Sequence, residues 1–80
     1  MTNDNSQEKN VPEKPENAGE LEKQGLDGLV NALQNNTDPQ VRQYAAYLLG
    51  KAHNPRAIQP LIEALADFDK SVREQATLSL

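Results

Sequence analysis

Apolar residues recur along this chain at the spacing of one helical face, and the recurrence happens twice. In each stretch they stand at i, i+3, i+4 and i+7, and the second stretch follows the first at an offset of 32 residues. Such spacing is typical of an amphipathic helix with one buried face. The two sets are Leu26, Leu29, Val30 and Leu33, and then Ile58, Leu61, Ile62 and Leu65.

A second repeated segment follows each of these stretches. The letters DPQVRQYA at 38–45 return as DKSVREQA at 69–76, an offset of 31 residues. Helical segments that recur in pairs at this period are typical of α-solenoids, in which each hairpin buries its apolar surface against its neighbours. The pattern therefore predicts an all-α protein, an α-α superhelix of about two helical hairpins, or four helices.

The starts of three helices carry local signals. Asp38 stands where an N-cap belongs, and Pro39 follows at the first helical position, where its fixed φ and missing N–H cost nothing. Asn54 and Pro55 repeat this arrangement, and Asp69 is the expected cap of the last helix.

These starts divide the predicted repeat domain, residues 20–80, into two hairpins of about 20–53 and 54–80. The first helix is expected as one piece over 20–34, although its glycines weaken it. The second is expected over 39–52, the third from Pro55 to about Ala66 and the fourth from Asp69 onward. The third helix is expected to bury all four of its apolar residues, Ile58, Leu61, Ile62 and Leu65.

The first nineteen residues differ in composition from the rest. After the initiator, Val11 is their only larger apolar side chain, and acidic residues outnumber basic ones. Such a segment buries too little apolar area to offset its loss of conformational entropy. We therefore expect residues 1–19 to form a disordered, acidic N-terminal tail.

Charge and composition argue against several classes of function. The net charge is −4 and no cluster of Lys and Arg is present, so a nucleic-acid partner is not expected. The chain has no cysteine for disulfides or thiolate metal sites, and no apolar run long enough for a signal peptide or a membrane span. A cytoplasmic protein with no membrane association is the expectation.

No residues suggest catalysis, a metal or a cofactor. His53 is the single histidine, and it stands near a helix C-terminus, where a cation is electrostatically favourable. One histidine cannot form a metal site without partners. We expect no catalytic residue, no metal, no cofactor and no enzymatic activity.

The segment 38–76 resembles HEAT-like repeats of the short phycobilisome-lyase type. The shared pattern is D-x-x-V-R-x-x-A-A-x-x-L-G, a short turn, and then A-[VI]-x-P-L-[IV]-x-x-L-x-D. Ser79 departs from it, because the counterpart of Leu48 should be a core leucine. The resemblance implies a hydrogen-bonded ladder between the turn aspartates and helix arginines of adjacent repeats, here Asp38, Arg42, Asp69 and Arg73.

The resemblance also implies that the second helix of each hairpin lines a concave surface. The outward positions of the second helix are expected at Gln43, Ala46, Tyr47 and Gly50, and those of the fourth at Gln75 and Leu78. The candidate partner-binding residues are Gln43, Tyr47, Gln75 and Leu78. Tyr47 is the best of these, although it could instead pack against its own neighbours.

Two functions remain open. The first is a non-catalytic scaffold or adaptor that binds a protein of unknown identity through its concave helices. The alternative is a fragment or accessory subunit of a HEAT-like bilin lyase or a related protein-modifying factor. The apolar residues Leu78 and Leu80 further predict either self-association through the last helix or a place at the front of a longer array.

Overall fold

The computed structural model describes residues 11–80, and residues 1–10 lie outside the described part. Within residues 11–80 the chain forms helices and no strand, which confirms the all-α prediction. The elements are α1 (Ala18–Lys23), α2 (Leu26–Asn35), α3 (Pro39–Ala52), a 3-10 turn (Pro55–Ala57), α4 (Ile58–Ala64) and α5 (Lys70–Ser79).

Helices α2 and α3 form the first hairpin, and α4 and α5 form the second. The second hairpin stacks on the first, so that α3 packs along α5 and α2 contacts α4. The interior is small and aliphatic, and Leu49 and Val72 are its largest fully buried side chains. Leu29, Leu33, Val41, Tyr44, Ala45, Ala46, Leu61 and Ala76 complete most of the core of the two hairpins.

The helix predicted over 20–34 is two helices. The chain leaves the helical conformation at Gln24 and Gly25, both extended, and α2 begins at Leu26. Glycine loses more backbone entropy in a helix than any other residue, so a break at Gly25 costs the least.

The chain packs against the helices before the predicted domain start at residue 20. Every third side chain is buried from Pro12 through Pro15 and Ala18 to Leu21. A period of about three suits the extended conformation that proline favours, and proline has little conformational entropy to lose. The composition argument missed this segment because it did not count proline rings as apolar surface. The predicted disorder of residues 1–10 stays a prediction.

One hydrogen bond ties α1 to the first hairpin. The hydroxyl of Tyr44, a buried residue of α3, donates to Oε2 of Glu22 at 2.5 Å. Burial of the phenol, with the bond to the Glu22 carboxylate and its negative charge, raises the pKa of Tyr44 to about 12. The same bond, with the nearby Lys14 ammonium, holds the pKa of Glu22 below its ordinary value.

Alkaline pH is expected to weaken the fold through Tyr44. Because its folded pKa lies above the ordinary value of 10.0, its contribution is complete below that pH and is lost as the pH rises towards 12. Urea unfolding followed over this range should therefore show a steeper loss of unfolding free energy in the wild type than in Tyr44→Phe. Tyr47→Phe is the control and should keep most of the wild-type slope, because the bond from Tyr44 to Glu22 remains. Equal slopes for wild type and Tyr44→Phe would contradict the assignment.

The third helix buries less than its pattern predicted. It is a 3-10 turn followed by a short α-helix that ends at Ala64, and of its four apolar residues only Leu61 is buried. Ile58, Ile62 and Leu65 are 41 to 50 % exposed. The buried side instead carries Ala57, Pro60 and Ala64, because this side of α4 faces the first hairpin.

Helices α3 and α5 come close together at Gly50. A Cβ atom on Gly50 would lie 2.6 Å from Cβ and 3.0 Å from Cα of Ser79, so no larger residue fits without movement of the helices. The Ser79 hydroxyl uses this proximity and donates to the carbonyl oxygen of Ala46 at 2.9 Å. A leucine at position 79, which the repeat pattern favours, would collide with Gly50.

Candidate protein-interaction site

A groove runs between the C-terminal halves of α3 and α5. Three of the four predicted partner-binding residues, Tyr47, Gln75 and Leu78, line it together with Lys51. We call these four residues and their neighbours the α3–α5 groove. The other residues along it are Gly50, His53, Ser79 and Leu80.

Tyr47 both packs against its neighbours and borders the groove. Its ring lies 5.7 Å from that of Tyr44 and is tilted by 35° to it. Nζ of Lys51 lies 5.3 Å from the ring centroid of Tyr47, within the range of a cation–π interaction worth about 0.5–1 kcal/mol at an exposed site. The ring is therefore held in place while part of it stays accessible. Gln43, one turn earlier on α3, is half-buried and is not among the groove residues.

Two positions predicted to face outward are buried. Gln75 is only 4 % exposed, with its Nε2 3.5 Å from Oγ of Ser79, and Ala46 is completely covered. The prediction took Val41 as the centre of a single buried face. A helix in a stack buries two sides, one against its hairpin partner and one against the neighbouring hairpin. Ala46 is therefore lost from the accessible surface, and Gln75 contributes only a small part of its side chain to the groove. Leu78, at 55 % exposed, remains accessible.

The junction between the hairpins contains the bidentate ion pair of Arg42 and Asp67. Nε and Nη2 of Arg42 donate to the two carboxylate oxygens of Asp67, each at 2.9 Å, and both side chains are about 14 % exposed or less. Nη1 of Arg42 donates to the carbonyl oxygens of Asn36 at 2.9 Å and Thr37 at 3.2 Å. One guanidinium thus connects the turn of its own hairpin to the turn of the next.

Burial alone would raise the pKa of the Asp67 carboxyl. The hydrogen bonds from Arg42 and from the backbone N–H of Asp69, together with the positive charges of Arg42 and Arg73, outweigh it and hold the pKa below its ordinary value. The bond to Asp67 raises the pKa of Arg42 in turn, although burial opposes this. Both shifts mean that the charged forms stabilise the fold.

The predicted ladder included the wrong acids. Asp38 accepts from the backbone N–H of Gln40 at 2.9 Å, and Asp69 accepts from that of Val72 at 3.1 Å, so both are helix caps, as their positions also predicted. The acid that pairs across the junction is Asp67. The signal was present, because Asp67 is the last residue of the repeat pattern and matches Asn36 at an offset of 31.

Asn36 and Asp67 have the same local geometry. Oδ1 of Asn36 accepts from the backbone N–H of Asp38 at 2.8 Å, and Oδ1 of Asp67 accepts from that of Asp69 at 2.9 Å. An amide and a carboxylate thus form the same turn. The carboxylate of Asp67 additionally binds the guanidinium of Arg42 from the preceding hairpin.

Arg73 repeats half of the interactions of Arg42. Its Nη1 donates to the carbonyl oxygens of Asp67 at 2.8 Å and Phe68 at 3.0 Å, as Nη1 of Arg42 does one repeat earlier. Its Nε and Nη2 have no acceptor among residues 11–80.

Loss of the Asp38 cap is expected to cost stability even though its side chain is exposed. Asp38→Ala should lower the free energy of unfolding by about 1 kcal/mol, because the N–H of Gln40 loses its acceptor. Thermal and urea unfolding measure this cost. Asp38→Asn, which keeps a capping oxygen, should stay near the wild type, and equal losses for the two variants would argue against capping.

Within residues 11–80 no three or more His, Cys, Asp or Glu residues come together as a possible metal site. His53 is the exposed C-cap of α3 in the left-handed conformation, with φ of 53°. No helix of the described part is long and apolar enough to cross a membrane.

Two stacked helical hairpins, joined by an arginine that reaches the turn of the next hairpin, define an α-helical repeat protein. Residues 26–80 match the family model of HEAT repeats. This match covers more than half of the chain, which therefore belongs to the HEAT repeat family, whose members generally mediate protein–protein interaction. The finer resemblance to the phycobilisome-lyase type stays a prediction. Neither the curated proteins nor the solved structures gave a significant match.

Proposed function

We propose that the protein is a non-catalytic scaffold or adaptor that binds a protein partner in the α3–α5 groove. The observation that carries this proposal is the pairing of Tyr47 and Leu78, which occupy the same repeat position at an offset of 31 and line one groove. Tyrosine is among the residues that most often dominate binding energy at protein interfaces, and the accessible side chain of Leu78 adds apolar surface beside Tyr47.

The charge along the groove restricts the partner further. Lys51 stands beside Tyr47, and among residues 11–80 no Asp or Glu side chain lines the groove. A partner segment with an apolar residue and a neighbouring carboxylate complements this surface, because the carboxylate approaches Lys51 while the apolar side chain contacts Leu78.

Site-specific crosslinking tests the groove directly. A photo-crosslinking amino acid at position 78 of the full chain, expressed in the source cells, should capture a defined protein partner. The same group at Gln59, which is exposed on α4, is the matched control and should not capture it. Tyr47→Ala should reduce the yield at position 78 by about tenfold or more, the effect of losing one anchor residue.

The crosslinking experiment can also contradict the proposal. Equal capture of the same protein from positions 78 and 59, or a yield that Tyr47→Ala leaves unchanged while circular dichroism shows intact helices, would place the interaction elsewhere.

The bilin lyase alternative stays a prediction with its own test. Mixing the full chain with a linear tetrapyrrole and an acceptor protein, and following absorbance, would reveal covalent transfer if the chain had this activity. Transfer above the rate without the chain would overturn the non-catalytic proposal. The predicted self-association and cytoplasmic location are likewise open to sedimentation and imaging.

A further inference from the structure

The segment ahead of α2 is attached to the first hairpin by few contacts. We call residues 11–23 the strap, and its buried side chains are those of Pro12, Pro15, Ala18 and Leu21. The hydroxyl of Tyr44 on α3 donates to the carboxylate of Glu22. Nε2 of Gln40, also on α3, donates to the carbonyl oxygen of Glu13 at 3.5 Å. The strap is therefore held by a few small side chains and by one hydrogen bond near each of its ends.

The break between the strap and α2 is not marked by a helix cap. Helix α3, the 3-10 turn and helix α5 each begin at a side chain that accepts from the backbone, and these caps are Asp38, Asn54 and Asp69. At the break the N-cap residue of α2 is Gly25, and within residues 11–80 no side chain caps that helix. An uncapped helix end leaves backbone N–H groups without a partner, and a continuous helix would bond them.

Local preference and tertiary packing compete at this break. The apolar spacing predicts one helix over 20–34, whereas Gln24 and Gly25 are extended in the structure. A straight helix over 18–35 would be about 27 Å long and would continue past the C-terminal end of α3, away from Tyr44. The bend is thus maintained by the packing of the strap on α3, and a conflict of this kind marks an element with two accessible conformations.

We propose that the strap exchanges between two copies of this chain, with Gln24 and Gly25 as the hinge. In the exchanged dimer the hinge is helical, α1 and α2 form one helix, and the strap of each copy packs on α3 of the other. The carboxylate of Glu22 then accepts its hydrogen bond from the tyrosine hydroxyl of the second copy. The proposal does not depend on the α3–α5 groove.

A second copy is the partner that the structure itself supports. The surface of α3 is fitted to a strap that buries every third side chain, and each copy carries both that strap and that surface. Two opened copies therefore satisfy each other reciprocally, and the assembly closes as a dimer. The strap contacts are the same in both forms, so the hinge and the chain concentration decide between them. A short linker gives the strap an effective concentration in about the millimolar range within its own chain.

Position 25 allows two substitutions that shift the hinge in opposite directions. Gly25→Ala fits the bent form, because φ is −79° there and a Cβ atom meets nothing within 4 Å, and alanine favours the continuous helix. Gly25→Pro also fits the bent form, because proline has a similar φ and the preceding Gln24 is already extended. Proline inside a continuous helix is strongly unfavourable. Neither substitution changes a side chain of the strap.

Sedimentation equilibrium of the full chain tests the hinge. Samples are refolded from urea at micromolar to millimolar concentration, so that the two forms reach equilibrium. Gly25→Ala should strengthen dimerisation by about tenfold or more, because both hinges of the dimer gain the helix preference of alanine. Gly25→Pro should weaken it by about tenfold or more. A dimer whose dissociation constant neither substitution changes would place the association on another surface and overturn the proposal.

Crosslinking between different chains tests the exchange itself. The chain has no cysteine, so single-cysteine variants report on defined positions. A Glu13→Cys chain and a Gln40→Cys chain are refolded together and treated with a short bis-maleimide. Strap exchange places the two thiols next to each other in different chains, so a crosslinked heterodimer should form. In the control, Gln59→Cys, exposed on α4 of the second hairpin, replaces Gln40→Cys and should give several times less product.

Two further results would overturn the proposal. One is a heterodimer yield no higher than that of the Gln59→Cys control at concentrations where sedimentation shows a dimer. The other is a Gly25→Ala chain that stays monomeric up to millimolar concentration. If circular dichroism shows added helix in that monomer, the strap opens without entering a second copy.

Discussion

Leu33→Ala is expected to lower the free energy of unfolding by about 3 kcal/mol, whereas Leu65→Ala, at the same position of the second hairpin, should cost less than about 1 kcal/mol. Leu33 is 3 % exposed at the junction of the hairpins, so its truncation leaves a cavity among side chains that cannot all move inward. Leu65 is 41 % exposed, and water already contacts much of its side chain. Urea unfolding followed by circular dichroism measures both costs.

A loss of about 3 kcal/mol is a large part of the total stability that a domain of this size has. The Leu33→Ala measurement is therefore best made at low temperature, where the variant stays folded without urea. Equal costs at positions 33 and 65 would contradict the structure, because they would mean that Leu65 is covered in solution as completely as Leu33.

Asp67→Ala is expected to lower the free energy of unfolding by about 3 kcal/mol as well. The substitution leaves the largely buried guanidinium of Arg42 without its carboxylate and removes the acceptor for the backbone N–H of Asp69. Asp67→Asn should cost less, because an amide oxygen can keep the turn bond, as Asn36 does in the first hairpin. Double-mutant cycles with Arg42→Lys should show strong coupling.

The matched control is Asp27→Ala. Asp27 also forms an ion pair between the hairpins, with Arg56 at 3.4 Å, but its side chain is 92 % exposed. Exposed pairs of this kind contribute about 0–1 kcal/mol, so the control should stay close to the wild type. Similar losses for Asp27→Ala and Asp67→Ala would show that the burial of the Arg42–Asp67 pair does not determine its contribution to stability.

Acid provides an independent measure of the Asp67 contribution. The folded pKa of Asp67 is depressed below its ordinary value of 3.8, so the unfolded chain binds the proton more tightly. The contribution is therefore present above the ordinary pKa and is lost as the pH falls through the lower folded pKa. The wild type should lose more unfolding free energy in this acidic range than Asp67→Asn, and parallel curves would contradict the assignment.

The features that the sequence predicted are local or repeated ones. An offset of 31 or 32 residues places two hairpins in order, and a cap such as Asp38 or Asp69 depends only on the backbone a few residues away. Tyr47 and Leu78 followed from the same repeat and share a groove in the structure. The fold class and the helix caps are thus accessible to a pattern that extends over one turn, whereas the number of helices was not, since the chain breaks at Gly25.

The errors concern features decided by distant parts of the chain. Ala46 and Gln75 are buried because the neighbouring hairpin covers them, and a single-helix pattern contains no information about that neighbour. Arg42 and Asp67 are 25 residues apart in the sequence. The stacking of the two hairpins places Asp67, and not the nearby Asp69, against the guanidinium of Arg42. Pro12 and Pro15 are buried although the residues around them form almost no apolar pattern.

The near contact of Gly50 and Ser79 also affects how the two hairpins are inclined to each other. On the α3–α5 side the hairpins meet through residues with little or no side chain, Gly50, Ala46 and Ser79, whereas on the α2–α4 side Leu33 and Pro60 lie between them. Because the two hairpins approach each other more closely on the α3–α5 side, the second hairpin is inclined towards that side. The inclination of the two hairpins thus depends on the volume of the residue at position 50, and Gly50→Ala is expected to push α3 and α5 apart and reduce that inclination.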